Sequence, residues 1–472
     1  MVRALTAGCA LVAALAAGLA RADLVYFAGG GQAQLPATIE GNRVRLETPD
    51  GPRRFDRRDF LAVEPGDDPA RDWPARRDSA TRDGRIEALF AASWWAMENG
   101  LTDEAVALLR SSRPLAASSG HAPSLRALAM LDELEAPCPD RPDLASIVAR
   151  LRPARFAEAR GAHVVLLYQG DEAEARRRLD VLERVVATFA LGFSAQGVQV
   201  SAPRQKLVSV WFADRVDYAS FLRRSDAAPF ADTQGFYHPT SRVVFAHDTR
   251  SSEGHRGRLR AIANRRKDGA PAAEVDRLAL LLDLDWRGTD LGIAAHETVH
   301  QLTVASGLAR RPEEFPSWLH EGLAAQFEVV RGGRWAGVGR VNDLRMPDWR
   351  GIHPAPRLAP LLSDEGFARG YRRDSYAEAW ALVFFLRKAR PVEFLGYLDR
   401  LRNPGLEAVP AHDRALLAFR AAFGDDLPGL ERDWRRFLAD LRTPLESGRP
   451  RAAETAGSTG PPEGRMRPRE DR

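Results

Sequence analysis

Cysteine is almost missing from this chain, with two in 472 residues. Cys9 lies in an apolar leader, which leaves Cys138 between Pro137 and Pro139 in an expected loop. One remaining cysteine excludes an internal disulfide and a thiolate metal cluster, and a catalytic thiol is not favoured there. Long apolar runs are also missing. Beyond the first 22 residues no stretch approaches the roughly 20 apolar residues that a bilayer span needs. Nor does one sign of charge dominate. The net charge of +4 is the difference of 68 basic and 64 acidic residues. They are interspersed and the bases are mostly arginine, so a basic isoelectric point does not mean a basic patch. The triplet Arg176-Arg177-Arg178 lies on an expected helix and reads as a solvated face. With no reader motif either, nucleic-acid binding has no support.

What is present begins with an export signal. Arg3 gives a basic start, Leu11 to Leu19 an apolar stretch, and Ala20-Arg21-Ala22 a small-x-small cleavage site before Asp23. The length of apolar sequence is too short for an anchor, and almost none precedes Cys9, which argues against a lipoprotein. The expected location is outside the cytoplasm, periplasmic or extracellular, in a bacterium.

About 450 mature residues suggest roughly three domains. Residues 23–65 alternate apolar and polar, with turns at Glu40-Gly41-Asn42 and Pro49-Asp50-Gly51, and predict a small β domain. Residues 66–83, rich in Pro, Asp and Arg, predict a linker. From 84 to 155 the period becomes helical, with a stop at Asn99-Gly100. Helix pairs there loosely resemble tetratricopeptide hairpins, serving either as a spacer packed on the next domain or as a surface for a protein partner. Residues 156–443 alternate strand and helix before becoming helical. Residues 444–472 have almost no large apolar side chains and predict a disordered tail.

The chemistry is concentrated at His296-Glu297-Thr298-Val299-His300 and the later segment Pro316-Ser317-Trp318-Leu319-His320-Glu321-Gly322-Leu323-Ala324. With ten His in the chain, chance gives roughly 0.01 matches to His-Glu-x-x-His. On a helix, His296 and His300 project from one face about 6 Å apart, a spacing at which two imidazoles can grip one ion. Glu297 sits beside them, able to take a proton from a water that the metal activates. Ser317 reads as the N-cap of a second helix running from Trp318 to Val330. On it Leu319, Leu323, Phe327 and Val330 gather on the buried side and Glu321 faces away, as the third ligand. Gly322 permits close approach of another backbone. His238 and His247 stand near strand ends and read as structural rather than as extra ligands.

These segments resemble the gluzincin metallopeptidases, and in wording are most similar to the peptidase-MA-like domains of secreted bacterial proteins. The resemblance covers residues 160–443, and its specific part is Thr289 to Glu328. It implies an α+β fold: a thermolysin-like peptidase domain, with a small sheet and metal-binding helices, preceded by the small β domain and the helical hairpins. It implies one zinc ion held by His296, His300 and Glu321, Glu297 as general base, and a peptide or protein substrate. Thermolysin-like relatives place an Asp four residues after the ligand Glu, where this chain has Ala325. Glu328 either substitutes for it or faces solvent. In similar peptidases a downstream Tyr stabilises the oxyanion, and Tyr376 fits, with Tyr371 as its rival. An edge strand pairs with the substrate backbone in that family, and Arg242–Ala246 is the candidate here. The expected activity is zinc-dependent peptide hydrolysis. The alternative is a non-catalytic envelope protein stabilised by zinc and binding partners through its helical hairpins.

Overall fold

The computed structural model describes residues 22–352, 358–369, 372–402 and 410–447. The expected signal up to residue 21, Tyr371 and the expected tail from residue 448 onward lie outside the described residues. Among the described residues, no helix is long and apolar enough to cross a membrane.

Strands β1 (Ala22–Phe27), β2 (Gln32–Glu40), β3 (Arg43–Thr48), β4 (Gly51–Asp56) and β5 (Phe60–Glu64) form one antiparallel sheet, in the order β4-β3-β2-β1-β5. Period-2 alternation puts Val44, Leu46 and Phe55 inward with Val25, Phe27, Leu35 and Phe60. That core is completed from elsewhere in the chain, by the fully buried Leu280.

Residues 66–83, expected as a linker, instead hold helix α1 (Pro69–Asp83). Asp68 caps it by accepting from the backbone N–H groups of Ala70 and Arg71, Pro69 takes the first turn, and Gly84 ends it at φ 72°. Asp-Pro is as much a helix start as a loop composition, and Trp73 and Ala80 anchor the helix by burial.

Helices α2 (Ile86–Glu98), α3 (Thr102–Ser111), α4 (Arg113–Ser119) and α5 (Ala122–Glu135) follow, and their apolar faces join the main core. Helix α6 (Leu144–Arg150) does not pair with α5 as a hairpin. Its Leu144 and Ile147 pack under the second sheet instead.

That sheet combines β6 (Ala157–Arg160), β7 (Val164–Tyr168), β8 (Leu207–Phe212), β9 (Gly235–His238) and β10 (Val243–His247), in the order β6-β7-β8-β10-β9. The three middle strands are parallel and both edges antiparallel. Val165, Leu167, Val208, Val210 and Phe245 face α6 and α8 (Arg215–Arg223). Val164, Leu166 and Trp211 face the other way, towards α7 (Glu172–Ala195) and, beyond α9 (Glu253–Lys267), α10 (Ala272–Ala305).

The arginine triplet on α7 splits. Arg176 is exposed and pairs with Glu172, whereas Arg178 is buried, bonded to Asp290 at 2.6 Å and lying over the Trp211 ring. Successive residues on a helix are about 100° apart, so three in a row cannot share one solvated face.

Helix α11 (Ser317–Ala325) lies against α10 and leads to α12 (Arg345–Gly351), α13 (Leu358–Leu361), α14 (Asp364–Arg369) and α15 (Arg372–Ala389). Helices α16 (Pro391–Leu401), α17 (Ala411–Phe423) and α18 (Leu427–Asp440) close the core. A last turn, α19 (Pro444–Ser447), stands where the disordered tail was expected to begin, held by Glu446 on Arg350. The chain is thus α+β, with small sheets and a helical majority.

Candidate metal centre

The site is built on α10, whose residues from Leu291 to Thr303 are almost all buried. Ala294, Ala295, Val299 and Leu302 pack into the core, and this fixes the rotation that turns His296 and His300 to one common side. Facing them is α11. Gly322 lets it approach α15 so closely that a Cβ there would lie 2.5 Å from the carbonyl oxygen of Ala379. Glu321, about 100° round the helix from Gly322, is turned towards the histidines.

Three potential ligand atoms converge. Nε2 of His296 lies 3.0 Å from Oε2 of Glu321 and 2.9 Å from Nε2 of His300. Nε2 of His300 is 3.4 Å from the same carboxylate oxygen. Bonds of about 2.0–2.1 Å to a tetrahedral ion put neighbouring ligand atoms about 3.3 Å apart, so the triangle has the right size. The three groups could therefore hold a metal ion, and among the described residues no other group of ligands does so.

The tautomer that this requires is fixed by Glu328. Nδ1 of His296 donates to Oε1 of Glu328 at 2.7 Å, which leaves Nε2 as the lone-pair donor to an ion. Glu328 is 5% exposed, so its solvent-facing alternative falls away. Asn342 and Arg345 grip it, at 3.1 Å and 2.9 Å on Oε2. Burial opposes its charge, but the Arg345 guanidinium and His296 hold its carboxyl well below the usual range.

It reaches this place because α11 stops at Ala325, earlier than the expected Val330. Ser317 is also not the cap. It is the first helical residue, and its N–H donates to Asp364 at 2.7 Å.

Glu297 is 8% exposed and outside the ligand triangle. Burial raises its pKa, and the nearby backbone of Tyr237 acts in the opposite direction. Tyr237 belongs to β9, which is the edge strand. The expected edge, Arg242–Ala246, lies almost wholly in β10 and is internal, paired to β8 on one side and β9 on the other. Gly235 and Pro239 make residues 235–239 look like a turn, yet Gly235 is needed for packing. A Cβ there would meet Ile293 at 2.8 Å and Glu297 at 3.4 Å.

Tyr376 sits at the same centre. Its ring is 6.3 Å from that of His296, Arg345 lies over it at 5.2 Å, and its hydroxyl side lies near Glu321. Burial and the nearby carboxylates push its phenol far up, so it remains a donor. His320 stacks on His300 at 4.1 Å, and burial pushes it down to about 3, so that the ring stays neutral. His238 and His247 stand elsewhere, bonded to Ser241 and to the Asp248 carbonyl.

No sequence pattern points to Asn342 and Arg345, which meet Glu328 from beyond the helix, nor to Tyr237. Comparison with curated proteins gives no match. A family model described as "Protein of unknown function (DUF1570)" matches residues 290–405, a stretch holding the convergent His296, His300 and Glu321 together with Glu297, Glu328 and Tyr376.

Proposed function

We propose that this chain is an exported zinc peptidase of thermolysin-like plan. The observation that carries this is Glu297. It is buried beside the convergent ligands without joining them, packed over Gly235 of an edge strand. A site serving stability alone has no use for such a carboxylate, and structural zinc normally takes four protein ligands where three converge here.

Zinc bound by His296, His300 and Glu321 would supply a Lewis acid that polarises water and the substrate carbonyl. Glu297 accepts the proton of the attacking water and returns it to the leaving amine. Tyr376 donates its hydroxyl to the oxygen on which charge develops. The unpaired edge of β9 binds the substrate backbone in extended form, by main-chain hydrogen bonds. The leader sequence motivates placing this reaction outside the cytoplasm.

The test is a peptide-library cleavage assay on the mature protein, with metal content measured alongside. Glu297→Gln should keep the metal and lose about 10² to 10⁴ in rate. Tyr376→Phe should lose roughly 10² to 10³ in kcat with metal content unchanged. Bound zinc without any cleavage would reject the peptidase and leave a zinc-stabilised envelope protein as the reading.

A further inference from the structure

The face of β9 that carries Tyr237 also opens onto a cavity of about 700 Å³ that the proposed chemistry does not use. It continues from the site. Tyr237, whose backbone lies near Glu297, lines it with its side chain, and so does Gln301, one turn further along α10 on the face of Glu297. The cavity wall is basic, carrying Arg141, Arg204, Lys206 and Arg242 against a single acid, Asp143.

Two of these cations are committed to structure. Arg141 pairs with Asp143 at 2.7 Å and donates to the carbonyls of Ser241 and Arg242, and Lys206 donates to the carbonyl of Gly161. Arg204 and Arg242 are exposed and, among the described residues, have no ion pair.

The backbone around Arg242 is built to present it. Arg242 has φ 53°, the only positive φ among the described non-glycine residues. Such a conformation is unfavourable for a long side chain. It is held by two donors on the Arg242 carbonyl, Arg141 at 3.0 Å and Gln301 at 2.8 Å. Gln301 is 2% exposed, and its Oε1 has no partner. Burial also keeps the Tyr237 phenol protonated, pushed up to about 12 against the pull of Arg242 and Arg141, so it can donate.

We propose that this cavity is a specificity subsite for an acidic side chain of the substrate, lying N-terminal to the cleaved bond. The proposal rests on the peptidase reading. Glu297 lies over Gly235 and Tyr237, and the cavity opens beyond them, towards the His238 end of β9. A strand added antiparallel, the more stable pairing, runs from the His238 end towards Gly235. Its residues before the cleaved bond therefore pass the cavity. An extended chain projects alternate side chains to one face, which brings one of them between Arg204 and Arg242.

The experiment compares two fluorogenic peptides, identical except for Glu or Gln two to three residues before the cleaved bond. They are tested on the full zinc-loaded chain and on the double variant Arg204→Ser/Arg242→Asn. Asn tolerates the left-handed backbone, and a melting curve confirms that the variant is folded. The wild type should favour the Glu peptide in kcat/KM by roughly tenfold, with the preference weakened by salt. The double variant should lose that ratio while cleaving the Gln peptide as before. Equal cleavage of both peptides by the wild type, or a preference that survives the double substitution, overturns the subsite.

Should neither peptide be cleaved, the peptidase reading fails and binding decides the subsite separately. Affinity for the Glu peptide that falls about tenfold in the double variant keeps it, and unchanged or absent binding removes it.

Discussion

Glu328 shows how far a single side chain can decide the character of this centre. Any base near His296 could orient an imidazole, but a buried carboxylate gripped by Arg345 and Asn342 does so with a fixed direction and a retained negative charge. It raises the basicity of the ring that would bind metal, and it holds the Nδ1 proton where the metal cannot be. Glu328→Gln keeps the shape and can still accept from Nδ1. It removes the charge and leaves Arg345 buried against an amide. Metal affinity should fall about 10- to 100-fold, read by competition with a chelator, while the melting temperature of the metal-loaded protein changes less. Unchanged affinity would show that Glu328 only fills space. This residue was half legible: its presence in place of the expected Asp was visible at the end of the motif, but its burial was not. That depends on partners 14 and 17 residues further on, which no local pattern announces.

At the scale of elements, what could be read from sequence was what short-range periodicity dictates. The convergence of His296 and His300 on α10 and the placing of Glu321 on α11 follow from helical spacing, and the alternation of Val44 and Leu46 follows from the pleat. Pairing order did not follow. The central place of β10 and the edge place of β9 are set by contacts between distant segments, and Gly235 and Pro239 disguised the edge as a turn. The end of α11 was likewise hidden, because Leu323, Phe327 and Val330 keep a helical period after the helix has stopped. The contact of α11 with α15 offers the sharpest test at this scale. Gly322→Ala would set a methyl 2.5 Å from both the Ala379 carbonyl and a Val383 methyl. A backbone atom cannot step aside as a flexible side chain can, so the helices must separate, at a cost of about 1–3 kcal/mol. Because Glu321 is the neighbour of Gly322, the same displacement should lower metal occupancy. A variant with the wild-type melting temperature and full occupancy would show that the helices yield without cost.

Across the whole molecule, the first sheet and the helices behind it are joined to the part that carries His296, His300 and Glu321 by shared core rather than by a tether. Leu280 of α10 completes the core of the first sheet, and α2 to α5 share theirs with α7, α10 and α11. The same helix carries the electrostatic junction. Arg287, 4% exposed, reaches Asp50 of the β3–β4 turn at 2.7 Å, Glu174 of α7 at 3.0 Å and Asp283 at 3.1 Å. The three acids differ in weight. Asp50 is largely hydrated, and an exposed pair contributes about 0–1 kcal/mol, so Asp50→Asn should barely change the melting temperature. Glu174 is nearly buried, and although Arg177 also holds it, removing Arg287 leaves uncompensated charge inside the junction. Arg287→Met keeps most of the apolar stem and deletes the guanidinium. It should cost about 3 kcal/mol, at the lower end of what breaking a buried pair costs. Because the junction lies on the same helix as His296 and His300, the loss should appear as one cooperative transition at lower temperature, measured by calorimetry with metal added. If the first sheet melted separately, with the metal still held above that transition, the shared core would be too weak to couple the parts.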